Sequence, residues 1–163
     1  MNFGSIDYRM QSCKNHLNAT NSWGTEVEAF LVQYLIVRIC AELEERIPKI
    51  FERRCVRGGD VQLTQFAVRT VQYVTKRFTI EDLGKLLKRF DDAYHAHFNT
   101  VVISNNSHLA WDSIYSNRHA VAHGAGIQMN FSDLSKAYQD CLPVLDALVT
   151  ALGLTPNETK DFI

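Results

Sequence analysis

The sequence predicts an all-α fold, an antiparallel helical bundle of about five to seven helices. Three observations carry that expectation. Apolar residues recur at steps of three and four instead of alternating, only three prolines and eight glycines interrupt the 163 residues, and Thr, Ser, Asn or Asp stands where several of the periodic runs begin. The length fits a single domain over residues 1–163, with its core at about 25–152.

The elements follow in order. Residues 4–18 (GSIDYRMQSCKNHLN) give a first helix, and 18–24 (NATNSWG) form a loop rich in turn formers. Thr25 and Glu28 match a capping box, the hydroxyl placed for a free amide and the carboxylate reaching back to the cap. The helix they open runs to about Arg54. Its expected buried stripe is Val27, Phe30, Leu31, Tyr34, Leu35, Ile39, Leu43, Ile47, Ile50 and Phe51, with a bend at Pro48 and an end at Gly58-Gly59. Residues 61–77 are rich in β-branched side chains, yet Leu63, Phe66, Ala67, Val71 and Val74 keep helical spacing, so helix is chosen over strand. Thr79 and Asp82 cap a short helix (IEDLGKLLKRF), and 91–102 gives another with Tyr94, Phe98 and Val101 on one face. Ser104 to Ser107 supplies caps for a helix over 108–123 that stops at Gly124. Ser132 is expected to cap the last helix, whose stripe is Leu134, Ala137, Tyr138, Cys141, Leu142, Leu145, Leu148 and Leu152, kinked at Pro143.

Composition removes several function classes. With 46% hydrophobic and 21% charged residues the chain is neither disordered nor fibrous, and a net charge of −1 gives no global cationic field for a long polyanion. Nucleic acid would therefore be held locally, in a pocket. Cys13, Cys40, Cys55 and Cys141 form no C-x-x-C pair and read as reduced, structural thiols. The start MNFGSIDYRM lacks the basic and apolar regions of a signal peptide, and no apolar run approaches the roughly 20 residues a bilayer requires. A cytoplasmic protein without a membrane partner is expected.

The chemistry concentrates in Asn117 to Gly124, NRHAVAHG. On an ideal helix His119 and His123 lie one turn apart on one face, while Arg118 and His123 differ by roughly 140°. The long arginine side chain can reach around, and a tightened last turn narrows the angle. The negative end of the helix dipole favours cations there. A guanidinium can hold the non-bridging oxygens of a phosphodiester, and a histidine can move the proton, with no metal or other cofactor required. The plainer alternative leaves Arg118 and His119 solvated, with His123 capping the helix.

Arginine, a polar residue, three small or apolar residues, histidine and then glycine, near the start of the last third of an all-helical chain, resembles the signature of the HEPN superfamily. Within it, Val121-Ala122-His123-Gly124 is similar to the RiboL-PSP-type HEPN domains, whose motif often reads R-x-x-I-A-H-G. The flanks agree over roughly residues 25–152: a helix leads into the motif, a short Gly-containing turn follows, and a long amphipathic helix finishes the domain. The resemblance implies a metal-independent endoribonuclease, a toxin or a defence or stress effector. In such an enzyme the RNA 2′-hydroxyl attacks the adjacent phosphate to leave a 2′,3′-cyclic phosphate and a 5′-hydroxyl. It also implies a homodimer with both motifs facing one cleft, and a cognate antitoxin or operon partner. Carried over by position, Arg118 binds the scissile phosphate and His123 transfers a proton. His119 fills the polar slot where asparagine or aspartate is more familiar, orienting the site or sharing the proton transfer. A related group that pairs with nucleotidyltransferases has tyrosine two residues beyond the histidine; Ala125 stands there in this chain, which disfavours that group. A non-catalytic domain that binds nucleotide, RNA or a protein is the alternative.

Other constellations carry less. His119 and His123 have the spacing of a zinc pair, but no glutamate follows the first and no third ligand is evident. The rings of His95 and His97 point to different sides of a helix. Lys85, Lys88 and Arg89, and separately Arg53, Arg54 and Arg57, are basic clusters that could track phosphates, although such runs are usually solvated faces. Tyr34, Phe51 and Trp111 read as core.

Overall fold

The computed structural model describes residues 4–74, 78–127 and 129–159, and among them there are helices and no strand. Helix α1 (Gly4–Thr20) turns Ile6, Met10, Cys13 and Leu17 inward at steps of three and four. Helix α2 (Glu26–Val56) spans 31 residues and runs through Pro48 without interruption. It is the axis of the fold, touching α1 on one side and α3 (Val61–Val74) on the other. It also packs against α6 (Ser107–Ala122), α7 (Phe131–Cys141) and α8 (Pro143–Ala151). Helices α4 (Ile80–Lys88) and α5 (Asp92–Ser104) fill the remaining side, and a single turn, α9 (Pro156–Thr159), closes the described chain. No described helix is long and apolar enough to cross a membrane.

The seven helices expected from the sequence are present, and their ends have visible causes. Thr79 caps α4, its Oγ1 accepting from Asp82 N at 3.2 Å and donating to the Asp82 carboxylate at 2.8 Å. Asp91 caps α5 by accepting from Ala93 N at 2.7 Å. Pro143 does more than kink the last helix. It divides it into α7 and α8, since proline has no N–H to continue the ladder and suits a first helical position. The last residues of the expected 61–77 helix, 75–77, and the Val74 side chain lie outside the described residues.

Three expectations are corrected. The cap of α7 is Asn130, not Ser132: its side chain accepts from Asp133 N at 2.9 Å while Asp133 accepts from Asn130 N at 3.4 Å. Glu28 does not close a box on the Thr25 amide. Nearly buried, it accepts from Gly24 N at 2.6 Å and, across the fold, from Phe131 N at 2.9 Å, so one carboxylate serves the N-terminal ends of α2 and α7 together. Thr25 instead receives Val27 N at 3.2 Å. The inward stripes are also rotated at two places. Val27, Phe30 and Tyr34 are exposed while Val32, Leu35 and Ile36 are buried, and on α3 Leu63 and Phe66 face out while Thr64 and Val71 face in. At both places apolar residues stand on more than one face, so spacing alone could not choose the inner one.

The core beneath the motif is apolar and includes Trp111, Ile114, Tyr138, Cys40 and Cys141. Trp111 is fully buried and donates its indole N–H to Phe78 O, which ties the start of α4 under α6. Phe51 is buried as expected, whereas Tyr34 is exposed and accepts from Arg9 Nη1 at 2.5 Å. Burial pushes the thiols of Cys40 and Cys141 up to about 12, so both stay protonated and pack as small hydrophobes. All four cysteines are free.

Candidate active site in the last turn of α6

Helix α6 begins after Asn106, which takes a left-handed conformation at φ 58°, and it ends in a Schellman turn. Gly124 N donates to Val121 O at 3.2 Å and Ala125 N to Ala120 O at 2.9 Å, with Gly124 at φ 68°. An added Cβ at Gly124 would meet nothing within 4 Å, so the glycine is required by backbone conformation and not by space. His123 is the C-cap. Its N–H is shared between His119 O and Ala120 O, both at 3.2 Å, which is the tightened last turn that the motif anticipates.

Arg118 does not point freely into water. It is partly buried, and its Nη2 lies 3.3 Å from Glu44 Oε1 and donates to Glu44 Oε2 at 3.4 Å. Glu44 comes from the middle of α2, 74 residues away in sequence, and is missing from the motif-based reading. Burial pushes its carboxyl above the usual range, and the guanidinium opposes that rise. Tyr115 lies beneath the pair, with its hydroxyl buried and its ionisation driven far up by burial. A helical acid at one position among Glu42, Glu44 and Glu45 carries no sequence signal that singles it out. Only the packing of α2 against α6 does.

The two motif imidazoles are exposed and touch each other, with ring centroids 4.3 Å apart and planes at 62°. A groove of about 530 Å³ runs alongside. Its α6 side is formed by Asp112, Tyr115, Ser116, Arg118 and His119, and its opposite wall by Thr79 and Glu81 at the start of α4. The groove thus brings Arg118 and His119 together, and His123 joins through its ring contact with His119. His119 therefore shares the groove with Arg118 and touches His123.

The remaining candidates are used elsewhere. His95 bonds Asn99 at 2.9 Å and packs on Gly84 of α4, while His97 approaches Thr150 of α8 at 3.4 Å, so the two rings diverge as expected. His108 contacts Val102 O at 2.9 Å. Lys85 pairs with Glu81 and Lys88 with Asp92, while Arg89 occupies the C-cap position of α4, its backbone N–H donating to Leu86 O and Leu87 O. Arg54 donates to Tyr94 OH at 2.9 Å, and Arg57 is held by Glu158 and Gly153 O. The basic clusters are thus largely engaged within the fold. Among the described residues no three His, Cys, Asp or Glu side chains converge as metal ligands.

An all-helical domain with an Arg, His and His constellation at the end of its sixth helix defines the class, and a family comparison agrees with it. The family model of RiboL-PSP-HEPN matches residues 5–153, and the chain belongs to that family. No curated protein and no solved structure matches the chain.

Proposed function

We propose that the protein is a metal-independent endoribonuclease acting as a toxin or a defence or stress effector. The observation that carries the reading is the shared groove: Arg118 and His119 line it side by side, and the His123 ring rests on His119 at 4.3 Å. Family membership supports ribonuclease chemistry in general terms.

In the reaction a ribose 2′-oxygen attacks the adjacent phosphorus in line, the bond from phosphorus to the 5′-oxygen breaks, and the products are a 2′,3′-cyclic phosphate and a 5′-hydroxyl. One proton leaves the 2′-hydroxyl and one arrives at the 5′-oxygen. His123, exposed at the helix end, serves that proton transfer, with His119 holding its ring and facing the groove. Arg118 neutralises the charge that grows on the non-bridging oxygens. For that it turns from Glu44 towards the phosphate or bridges both, and a contact of 3.3 Å in a partly exposed pair leaves it able to do so.

We also propose a homodimer. Val27, Phe30, Tyr34 and Val37 are exposed on α2 at steps of three, four and three. Glu44 follows Val37 by seven residues on the same face. Two copies packed along this stripe would bury it and bring two Arg118 sites towards one cleft.

A second reading, a non-catalytic RNA- or nucleotide-binding domain, is favoured by one observation: the phosphate-binding arginine already has a carboxylate partner. One assay separates the two. Purified protein is incubated with mixed RNA in EDTA, the 3′ ends are analysed, and wild type is compared with His123→Ala. Cleavage giving cyclic phosphate, absent in the variant, supports the enzyme; intact RNA with measurable binding supports the module.

A further inference from the structure

The groove extends beyond the motif. Asp112, Tyr115, Ser116 and His119 follow one another at steps of three, one and three, so they share a face of α6. Asp112 lies about 10 Å along the helix axis from His119. Arg118 supplies the cation at the His119 end. At the far end the Thr79 hydroxyl is committed to Asp82, and Glu81 is drawn to Lys85 at 2.5 Å. Asp112 is exposed, its Oδ1 accepts from Ile80 N at 3.4 Å, and its Oδ2 receives no hydrogen bond among the described residues. The far end therefore offers the Asp112 carboxylate with the Ser116 hydroxyl one turn along; its cations face carboxylates, Lys85 on Glu81 and the His108 ring beside Asp112 itself.

Three carboxylates at that end, Glu81, Asp82 and Asp112, disfavour a second phosphate, and the open oxygen of Asp112 selects a hydrogen-bond donor. Unpaired bases are read by hydrogen bonds on their Watson–Crick edges. Guanine alone among the four bases sets two adjacent donors, N1–H and N2–H, side by side, matching the two oxygens of a carboxylate. Adenine and cytosine place a ring-nitrogen acceptor beside their amino group, and uracil flanks its N3–H with two carbonyls. Each of these turns an acceptor towards the second oxygen. A groove of about 530 Å³ is in the range of small-ligand sites.

The geometry points to a guanine subsite, with Asp112 as the specificity-determining residue that seats a guanosine next to the scissile phosphate; the inference rests on the endoribonuclease reading. The test has two arms. In the first, 3′-GMP, 3′-IMP, 3′-AMP, 3′-CMP and 3′-UMP are titrated against wild type and Asp112→Asn by calorimetry. Asparagine keeps an oxygen for Ile80 N, so the start of α4 is preserved. Expected is 3′-GMP binding on the order of tenfold tighter than the other three common nucleotides, with 3′-IMP, which lacks the 2-amino group, weakened and the preference lost in the variant. In the second arm, cleavage sites are mapped on an RNA containing every dinucleotide, and cuts next to guanosine are expected. Equal binding of all five nucleotides, or a guanine preference that survives Asp112→Asn, overturns the subsite. Should that variant fail to fold, equal binding of 3′-GMP and 3′-IMP by wild type overturns it instead. Cleavage indifferent to the base also sinks the subsite and leaves the nuclease standing, whereas guanine-selective binding without any cleavage keeps the subsite and sinks the nuclease.

Discussion

Arg118 and Glu44 meet at 3.3 Å across the packing of α6 on α2, and this pair determines where the motif guanidinium points. Without Glu44 the arginine would lie at an open helix end, free to sample its rotamers. With it, the guanidinium sits at the edge of the groove beside His119. Under the proposed reaction the carboxylate would compete with phosphate for the same donors, so it would both orient the arginine and restrain its affinity.

Glu44→Gln separates those two effects. The amide keeps the shape and an acceptor oxygen but removes the charge, so RNA is expected to bind more tightly while turnover falls because the arginine is less well aimed. Steady-state kinetics on a short defined RNA should show KM falling and kcat dropping about tenfold, consistent with loss of an interaction that matters most in the transition state. An unchanged kcat would mean that Glu44 only holds the helices together.

The histidine pair gives a graded expectation. His123→Ala should cost about 10² to 10⁴ in single-turnover cleavage, the usual range for a lost proton-transfer group. His119→Ala removes the ring contact of His123 and a groove wall, whereas His119→Asn retains a polar group in a slot where the family resemblance makes asparagine familiar. The expected order of rates is wild type, then His119→Asn, then His119→Ala, with His123→Ala slowest. A His119→Ala protein as fast as wild type would remove His119 from the site.

Helix positions were legible because each depends on local chemistry. Thr79 with Asp82 and Gly124 mark boundaries through hydroxyl capping and a left-handed φ, while Pro143, expected only as a kink, separates two helices through its missing N–H. The motif residues were legible for the same reason, since six adjacent positions on one helix fix their own spacing. What sequence could not supply is whatever depends on which helix packs where. Glu44 meets Arg118 from 74 residues away, Glu28 reaches Phe131 over 103, and the inner face of α3 is chosen by its contact with α2. Periodicity places a stripe, but where two stripes compete, only tertiary packing selects the buried one.

Glu28 offers a test of that long-range wiring. It is 8% exposed and accepts two backbone amides, Gly24 N at 2.6 Å and Phe131 N at 2.9 Å. Glu28→Ala leaves both donors without a partner and is expected to cost about 3 kcal/mol, since hydrogen bonds to a charged group and stranded buried donors are each worth a few kcal/mol at most. Glu28→Gln, which can still accept, should cost less than half as much. Urea unfolding monitored by circular dichroism measures both, and equal midpoints for the two variants would show that the carboxylate is not the link.

Glu158 predicts how the fold responds to acid. Arg57 donates to both its oxygens at 2.5 Å, and Thr155 adds bonds from its amide and hydroxyl at 2.8 Å. Together, with the Arg57 bond the largest cause, these hold the carboxyl down at about 2. A carboxyl lowered in the folded state leaves the unfolded chain binding more protons between the folded and unfolded values, so stability rises with pH across that window. The contribution is fully present above the ordinary glutamate value of 4.5 and is lost as pH falls from there towards 2. Replacing the group with Glu158→Gln should therefore lower the thermal midpoint at pH 7 and make it fall less between pH 4.5 and pH 2 than in wild type. Parallel acid profiles for the two proteins would show that the Arg57 pair exchanges with solvent and does not tie α9 to the end of α2.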